Sequence, residues 1–212
     1  MSEQLGLRER KKLETRQRII DVALALFDKR GFERVPVAEI ARASDVSEAT
    51  VFNYFPSKED LVYGGMQAYE DELVAAVAAR PDGTSAVTAF RDFVLEPRGA
   101  LAADDDGTAT AAVARAARII AGSQTLQARE QRIVDHATDA LAELIARDGE
   151  APPGLGPWVA ANALMGVHRA MTRLAQRLAS EGHKGAEVGR TVRAQGAAAF
   201  ALLEKGLDAL PV

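Results

Sequence analysis

Ser47, Glu48, Ala49, Thr50 and Asn53 place short side chains at the spacing of one exposed helix face. Small hydroxyl, amide and carboxylate groups of this kind suit a DNA major groove, where every base pair presents its own pattern of donors and acceptors. Glu48 can accept from a cytosine amino group, or it can serve the helix start beside Ser47. Three aromatics, Phe52, Tyr54 and Phe55, crowd the same turn. Tyr54 at the helix end can aim its hydroxyl at a phosphate while its ring packs. A plain helical hairpin carries the same spacing, and the pattern by itself leaves both readings open.

A face of this kind is useful only if other elements hold it. Pro36 marks a helix start and Val37 to about Ala43 reads as a short helix. Ser44-Asp45-Val46 then forms a turn, and Ser47 to Asn53 a second short helix. Two short helices crossing steeply need a small side chain where they meet, and Ala41 supplies it. Ile40, Val46 and Val51 fill the small core between them and a preceding helix. Asp45 falls where the turn needs a positive φ, which Gly adopts most easily and Asp tolerates. The preceding helix runs from about Arg8 to Arg30, with an apolar stripe of Ile19, Ile20, Ala23, Leu26 and Phe27, and Gly31 ends it.

Together Thr15-Arg16, Ile19-Ile20, Ala23, Leu26-Phe27, Gly31-Phe32, Val37, Ile40-Ala41, Val46-Ser47, Thr50-Val51-Phe52, Tyr54-Phe55 and Ser57-Lys58-Glu59-Asp60-Leu61 resemble the DNA-binding signature of the TetR (tetracycline-repressor) family. The resemblance covers about residues 8–63; the rest of the chain is similar only in helix count and layout. It implies a homodimeric repressor with a three-helix head, a linking fourth helix and a helical ligand-binding body. By matched position it implies phosphate contacts from Thr50, Tyr54 and Lys58, and approach to base edges by Glu48, Ala49, Phe52 and Asn53. The chain departs from the pattern at Pro36 and Val37, where many members carry Thr or Ser, and at Asp45, where Gly is common. The missing hydroxyl removes one phosphate contact, which bears on affinity rather than on fold. The basic tip of Arg8, Arg10, Lys11 and Lys12 is either a solvated helix start or an arm toward phosphate and the minor groove. Arg16 and Arg18 face phosphate from the first helix itself.

Composition agrees with an all-α chain. Alanine, the best helix former, supplies 42 of 212 residues, while aromatics make up only 5%. Residues 1–18 hold six basic and three acidic groups, against a net charge of −4 for the whole, so a basic tip precedes an acidic body. Beyond a helix at about 57–79 the periodicity predicts helices at 84–96, 108–122, 124–148, 157–181 and 185–207, about nine in all. The boundary near residue 60 gives a helix-turn-helix domain over 1–60 and a regulatory, ligand-binding and dimerisation domain over 61–212. No apolar run approaches the ~18 residues of a membrane helix. The start lacks the layout of a secretion signal, so the expected place is the cytoplasm.

The helix at 157–181 carries Leu164, Val167, Met171, Leu174 and Leu178 on one stripe. The last helix carries Val188, Val192, Gly196, Ala199, Leu203 and Leu207. In the family the last two helices pair with their symmetry mates, and these stripes fit that; packing inside one chain is the alternative. Met66, Tyr69, Phe90, Phe93, His136, Trp158, Asn162, Met165 and Arg169 are the candidates to line a small-molecule cavity. For the aromatics ordinary core packing is the competing reading, and for Arg169 an ion pair. Asp104-Asp105-Asp106 reads as a solvated loop before a helix, not a metal site, and neither His136 nor His168 has a second ligand one turn away. No cofactor is expected. An enzyme finds no support, since the chain has no phosphate-cradling Gly loop, nucleophile elbow or metal cluster. The sequence therefore points to a DNA-binding regulator, a homodimeric repressor released from a palindromic operator by a small-molecule effector of unspecified identity; a DNA-bound structural or interaction protein without effector is the alternative.

Overall fold

The computed structural model describes residues 6–96 and 107–205, and the chain is helical throughout them. In order the helices are α1 (Leu7–Arg30), α2 (Val37–Ala43), α3 (Glu48–Tyr54), α4 (Asp60–Ala78), α5 (Ala86–Leu95), α6 (Thr108–Ala121), α7 (Gln124–Arg147), α8 (Gly156–Ser180) and α9 (Gly185–Lys205). Among the described residues these are the nine helices expected, in the expected places. The Pro97-Arg98-Gly99 break, the Asp104-Asp105-Asp106 run and Leu207 lie outside them. The largest shift is at α4, which starts at Asp60 rather than near 57. Asp60 Oδ2 accepts from the Ser57 N–H at 2.9 Å and from its hydroxyl at 2.8 Å, holding residues 57–59 as a lead-in to the helix.

The chain divides into two compact units. The first joins the residues up to Met66 with Arg115–Glu130; the second joins Gln67–Ala114 with the chain from Gln131 onward. A division by sequence alone places the boundary at residue 60 and leaves 115–130 with the body. The structure groups the end of α6 and the start of α7 with the head instead.

In the first unit Ile19, Ala23 and Phe27 of α1 are buried against Ile40 and Ala41 of α2 and Val51 of α3. Val46 is only half-buried. The α2–α3 turn closes by two bonds, Val46 N–H to Ala41 O at 3.0 Å and Asp45 N–H to Arg42 O at 3.2 Å. That pairing places the residue after the cap in the left-handed region, and Asp45 sits there at φ 53°. For a residue with a Cβ this conformation costs on the order of 1 kcal/mol. Asp45→Gly is therefore expected to raise the stability of the head by about 0.5–1 kcal/mol, read from the urea midpoint. An unchanged midpoint would mean that the Asp45 side chain recovers the cost locally.

The α6–α7 corner is fastened within the same unit by four polar links. Arg118 Nη2 lies 3.1 Å from Asp28 Oδ2, the Ser123 hydroxyl donates to Glu33, and Arg129 Nη2 lies 3.2 Å from Asp60 Oδ1. The buried Tyr63 hydroxyl donates to Leu126 O at 3.0 Å; burial, reinforced by Glu130, pushes its phenol well above the ordinary tyrosine value.

In the second unit α8 packs along α9, with α5 against both. Gly196 sets how near α9 comes: a Cβ there would lie 2.5 Å from Met171 Sδ and 3.1 Å from Leu95 Cδ2. Phe90 of α5 meets Phe200 of α9 edge-on, centroids 6.2 Å apart. Arg80 ties the end of α4 to the segment after α7, bonding Asp148 at 2.7 Å and Glu150 at 2.6 Å. Glu150 also accepts from the Ala86 N–H at the start of α5. The stripes Leu164, Val167, Met171, Leu174 and Val188, Gly196 are buried inside the single chain. They supply part of its core, while Leu178, Val192, Ala199 and Leu203 of the same stripes are only half-buried and leave part of both helices at the surface.

Candidate nucleic-acid interface

α3 is short, seven residues, and owes its start to Ser47. The Ser47 hydroxyl accepts from the Thr50 N–H at 3.1 Å and lies 2.8 Å from Thr50 Oγ1. Such a cap contributes about 1 kcal/mol. One side chain of α3, Val51, is 1% exposed and anchors the helix to the core. The side away from it presents Glu48, Ala49, Phe52 and Asn53 to solvent, with Thr50 and Tyr54 at its edges. Phe52 is 47% exposed. An uncovered phenyl ring gains little from water, and an apolar contact with a thymine methyl is among the base contacts such a ring can make.

Cations stand beside this face. Tyr54 lines a surface groove of about 410 Å³ together with Arg8, Glu9, Lys11, Lys12 and Thr15. The basic tip is thus the first turns of α1, not an extended arm, and it sits within reach of the end of α3. Arg16 stacks on the Phe55 ring, its guanidinium carbon 5.1 Å from the centroid, which fixes the group without consuming its N–H donors. Glu48 has no bond to Ser47 that would tie it down as a capping residue; it is exposed in the first turn, where a carboxylate suits the helix dipole.

Lys58 is placed differently from its neighbours. Its ammonium donates to Phe32 O at 2.6 Å and lies 4.2 Å from the Phe32 ring centroid and 5.6 Å from that of Phe27. Desolvation lowers its pKa from the ordinary lysine value, against the opposing pull of Glu33 and Glu59. The α3–α4 connection is therefore pinned to the loop after α1.

The residues named as cavity candidates do not form one cluster. Met66 belongs to the first unit. In the second, Phe90 and Met165 are buried core, while His136 and Asn162 are exposed and Trp158 is 54% exposed. Asn162 donates to Trp158 O one turn earlier on α8. Arg169 lines an α8–α9 groove with Arg173 and Arg177. Tyr69 and Phe93 do meet, centroids 5.5 Å apart, and they bring in two residues that sequence reasoning did not select, Glu70 and His168. Among the described residues no cluster of His, Asp and Glu could hold a metal ion, and no helix is long and apolar enough to cross a membrane.

Residues 19–63 match the family model described as bacterial regulatory proteins, tetR family. The chain is 38% identical over 85 residues to the HTH-type transcriptional regulator TcmR of Streptomyces glaucescens, a match covering 40% of this chain and 38% of that one. It is 27% identical over 166 residues to the putative mycofactocin biosynthesis transcriptional regulator MftR of Mycobacterium tuberculosis, covering 74% and 78%. Among solved structures the fold is similar to that of NalD, the secondary repressor of the MexAB-OprM multidrug efflux pump in Pseudomonas aeruginosa. The TM-score is 0.53 at 20% identity, over 88% of this chain and 96% of that one.

Proposed function

We propose, from the premise that this chain belongs to the TetR family, that it is a sequence-specific transcriptional repressor acting as a homodimer and released from its operator by a small molecule. The observation that carries the reading is the exposed α3 face of Glu48, Ala49, Phe52 and Asn53, anchored by buried Val51 and flanked by Tyr54, Lys11 and Lys12. α3 lies in the major groove with these four at base edges. Ser47, Thr50, Tyr54 and Arg16 hold the flanking phosphates, and Lys11 and Lys12 add charge from α1.

Lys58 commits one of its three N–H donors to the Phe32 carbonyl, and we assign it to bracing. Lys58→Met is expected to cost about 1–3 kcal/mol of stability while leaving the slope of log affinity against log salt unchanged. A slope smaller by about one unit would instead place the ammonium on a phosphate.

α4, α6 and α7 each contribute residues to both units. An effector held by the body can thus bias the first unit along continuous helices and change how the two heads of a dimer meet successive grooves. The test is selection of bound fragments from random duplex DNA with the purified chain at fixed salt, followed by a release screen. A palindromic motif released by some small molecule supports the reading; no enriched motif sinks it.

A further inference from the structure

Glu70 is the most deeply buried carboxylate among the described residues, 2% exposed on α4. Its Oε1 lies 3.0 Å from His168 Nε2 on α8, whereas Oε2 has no hydrogen-bond partner among the described residues. A buried carboxylate oxygen without a donor is costly, because folding strips it of water and returns nothing. Glu150 of the same unit, by contrast, receives Arg80 on one oxygen and a backbone N–H on the other.

The walls around it are specific. The His168 ring stacks on Tyr69 at 5.5 Å and 17°, and Tyr69 tilts onto Phe93 at 5.5 Å and 60°. His168 is held by its bond to Glu70 and keeps a side-chain exposure of 12%. Tyr69 and His168 are half-buried, while Glu70 and Phe93 are buried. One end of the site is thus a carboxyl group with one oxygen lacking a partner, and the rest is a row of three rings.

We propose that Glu70, His168, Tyr69 and Phe93 form the recognition site for a small organic amine, an aromatic body against Tyr69 and Phe93 with its protonated nitrogen donating to Glu70 Oε2. This inference rests on the reading of the body as an effector-binding unit and adds the chemical class of the effector. A hydroxyl supplies only a donor to the same oxygen. An ammonium supplies both the donor and the opposite charge, and it stacks favourably beside electron-rich rings.

The experiment is titration calorimetry on the full chain with naphthylmethylamine and its neutral counterpart naphthylmethanol. The amine is expected to bind about tenfold or more tightly than the alcohol. Glu70→Gln, close in shape but uncharged, should bring the amine down to the alcohol's affinity and leave the alcohol within about twofold of its own. Equal affinities in the unmodified chain overturn the proposal whether or not the variant folds. A Glu70→Gln chain that still prefers the amine also overturns it, since a carboxylate that merely fills the core would alter stability and not this preference. Operator binding is measured on the same samples. Selective amine binding with undisturbed operator affinity keeps the site and defeats the release reading. Operator release by some other compound, with neither probe bound, defeats the site and keeps the release reading.

Discussion

Asn53→Asp is expected to weaken binding to the selected operator by roughly 100-fold while the chain stays folded. Asn53 is exposed on α3, three residues after Thr50 and on the side away from buried Val51. Its amide can donate and accept at once, the pairing that reads adenine in the major groove, and losing one such contact costs about 1–3 kcal/mol. The aspartate keeps the shape, surrenders both donors and brings a negative charge among phosphates. Its cost to the fold is limited to the unfavourable meeting of an anion with the C-terminal end of α3, no more than about 1 kcal/mol. Operator affinity and the urea midpoint, measured together, separate the two effects. Wild-type affinity in the folded variant would remove α3 from the groove, and with it the reading of the head.

The head was legible because its constraints are local. Ser47 caps, Ala41 is small at the crossing, Asp45 takes the positive φ, and Val51 faces inward; each follows from residue type within a few positions of the next. Helix ends elsewhere were legible for the same reason, since Gly, Pro and Ser punctuate an alanine-rich chain. What pairs across distance was not. Lys58 carries no local sign of its bond until Phe32, 26 residues away, offers it a carbonyl and a ring. Glu70 and His168 are separated by 98 residues, and Glu70 is followed directly by Asp71 and Glu72, so nothing local singles it out. The α8 and α9 stripes carried a sound periodicity but no label for their partner. Gly196 against Met171 shows that one partner is the neighbouring helix of the same chain. The grouping of residues 115–130 with the head is likewise invisible in pattern, because it depends on Arg118, Ser123 and Arg129 finding Asp28, Glu33 and Asp60.

The proposed dimer is expected to pair through what α8 and α9 leave open, and Ala170→Arg is expected to break it. Leu155, Trp158 and Val159 are 78%, 54% and 61% exposed at the start of α8. Asn162, Gly166 and Ala170 continue that face, which opens into a groove of about 640 Å³ floored by Val167, Met171, Leu174 and Gly196. Large apolar side chains in water beside small residues form the kind of surface that a second copy covers, with small residues letting helices approach. Around a two-fold axis the same patch meets itself, so a substitution at its centre appears twice in one interface. Arg169, Arg173 and Arg177 already line the groove; one more arginine from each copy adds bulk and like charge where packing should be closest. The single chain has no reason to object, since Ala170 is exposed and arginine is a good helix former. The dimer dissociation constant is expected to rise about 100-fold or more. Operator affinity should fall with it, because one head reads one half-site and loses the gain of holding both. Sedimentation velocity across a concentration series reads the first effect, and binding to a full against a half operator reads the second. A variant that remains dimeric at low concentration moves the pairing surface off this face of α8. A variant that becomes monomeric yet binds the full operator as before separates dimerisation from recognition.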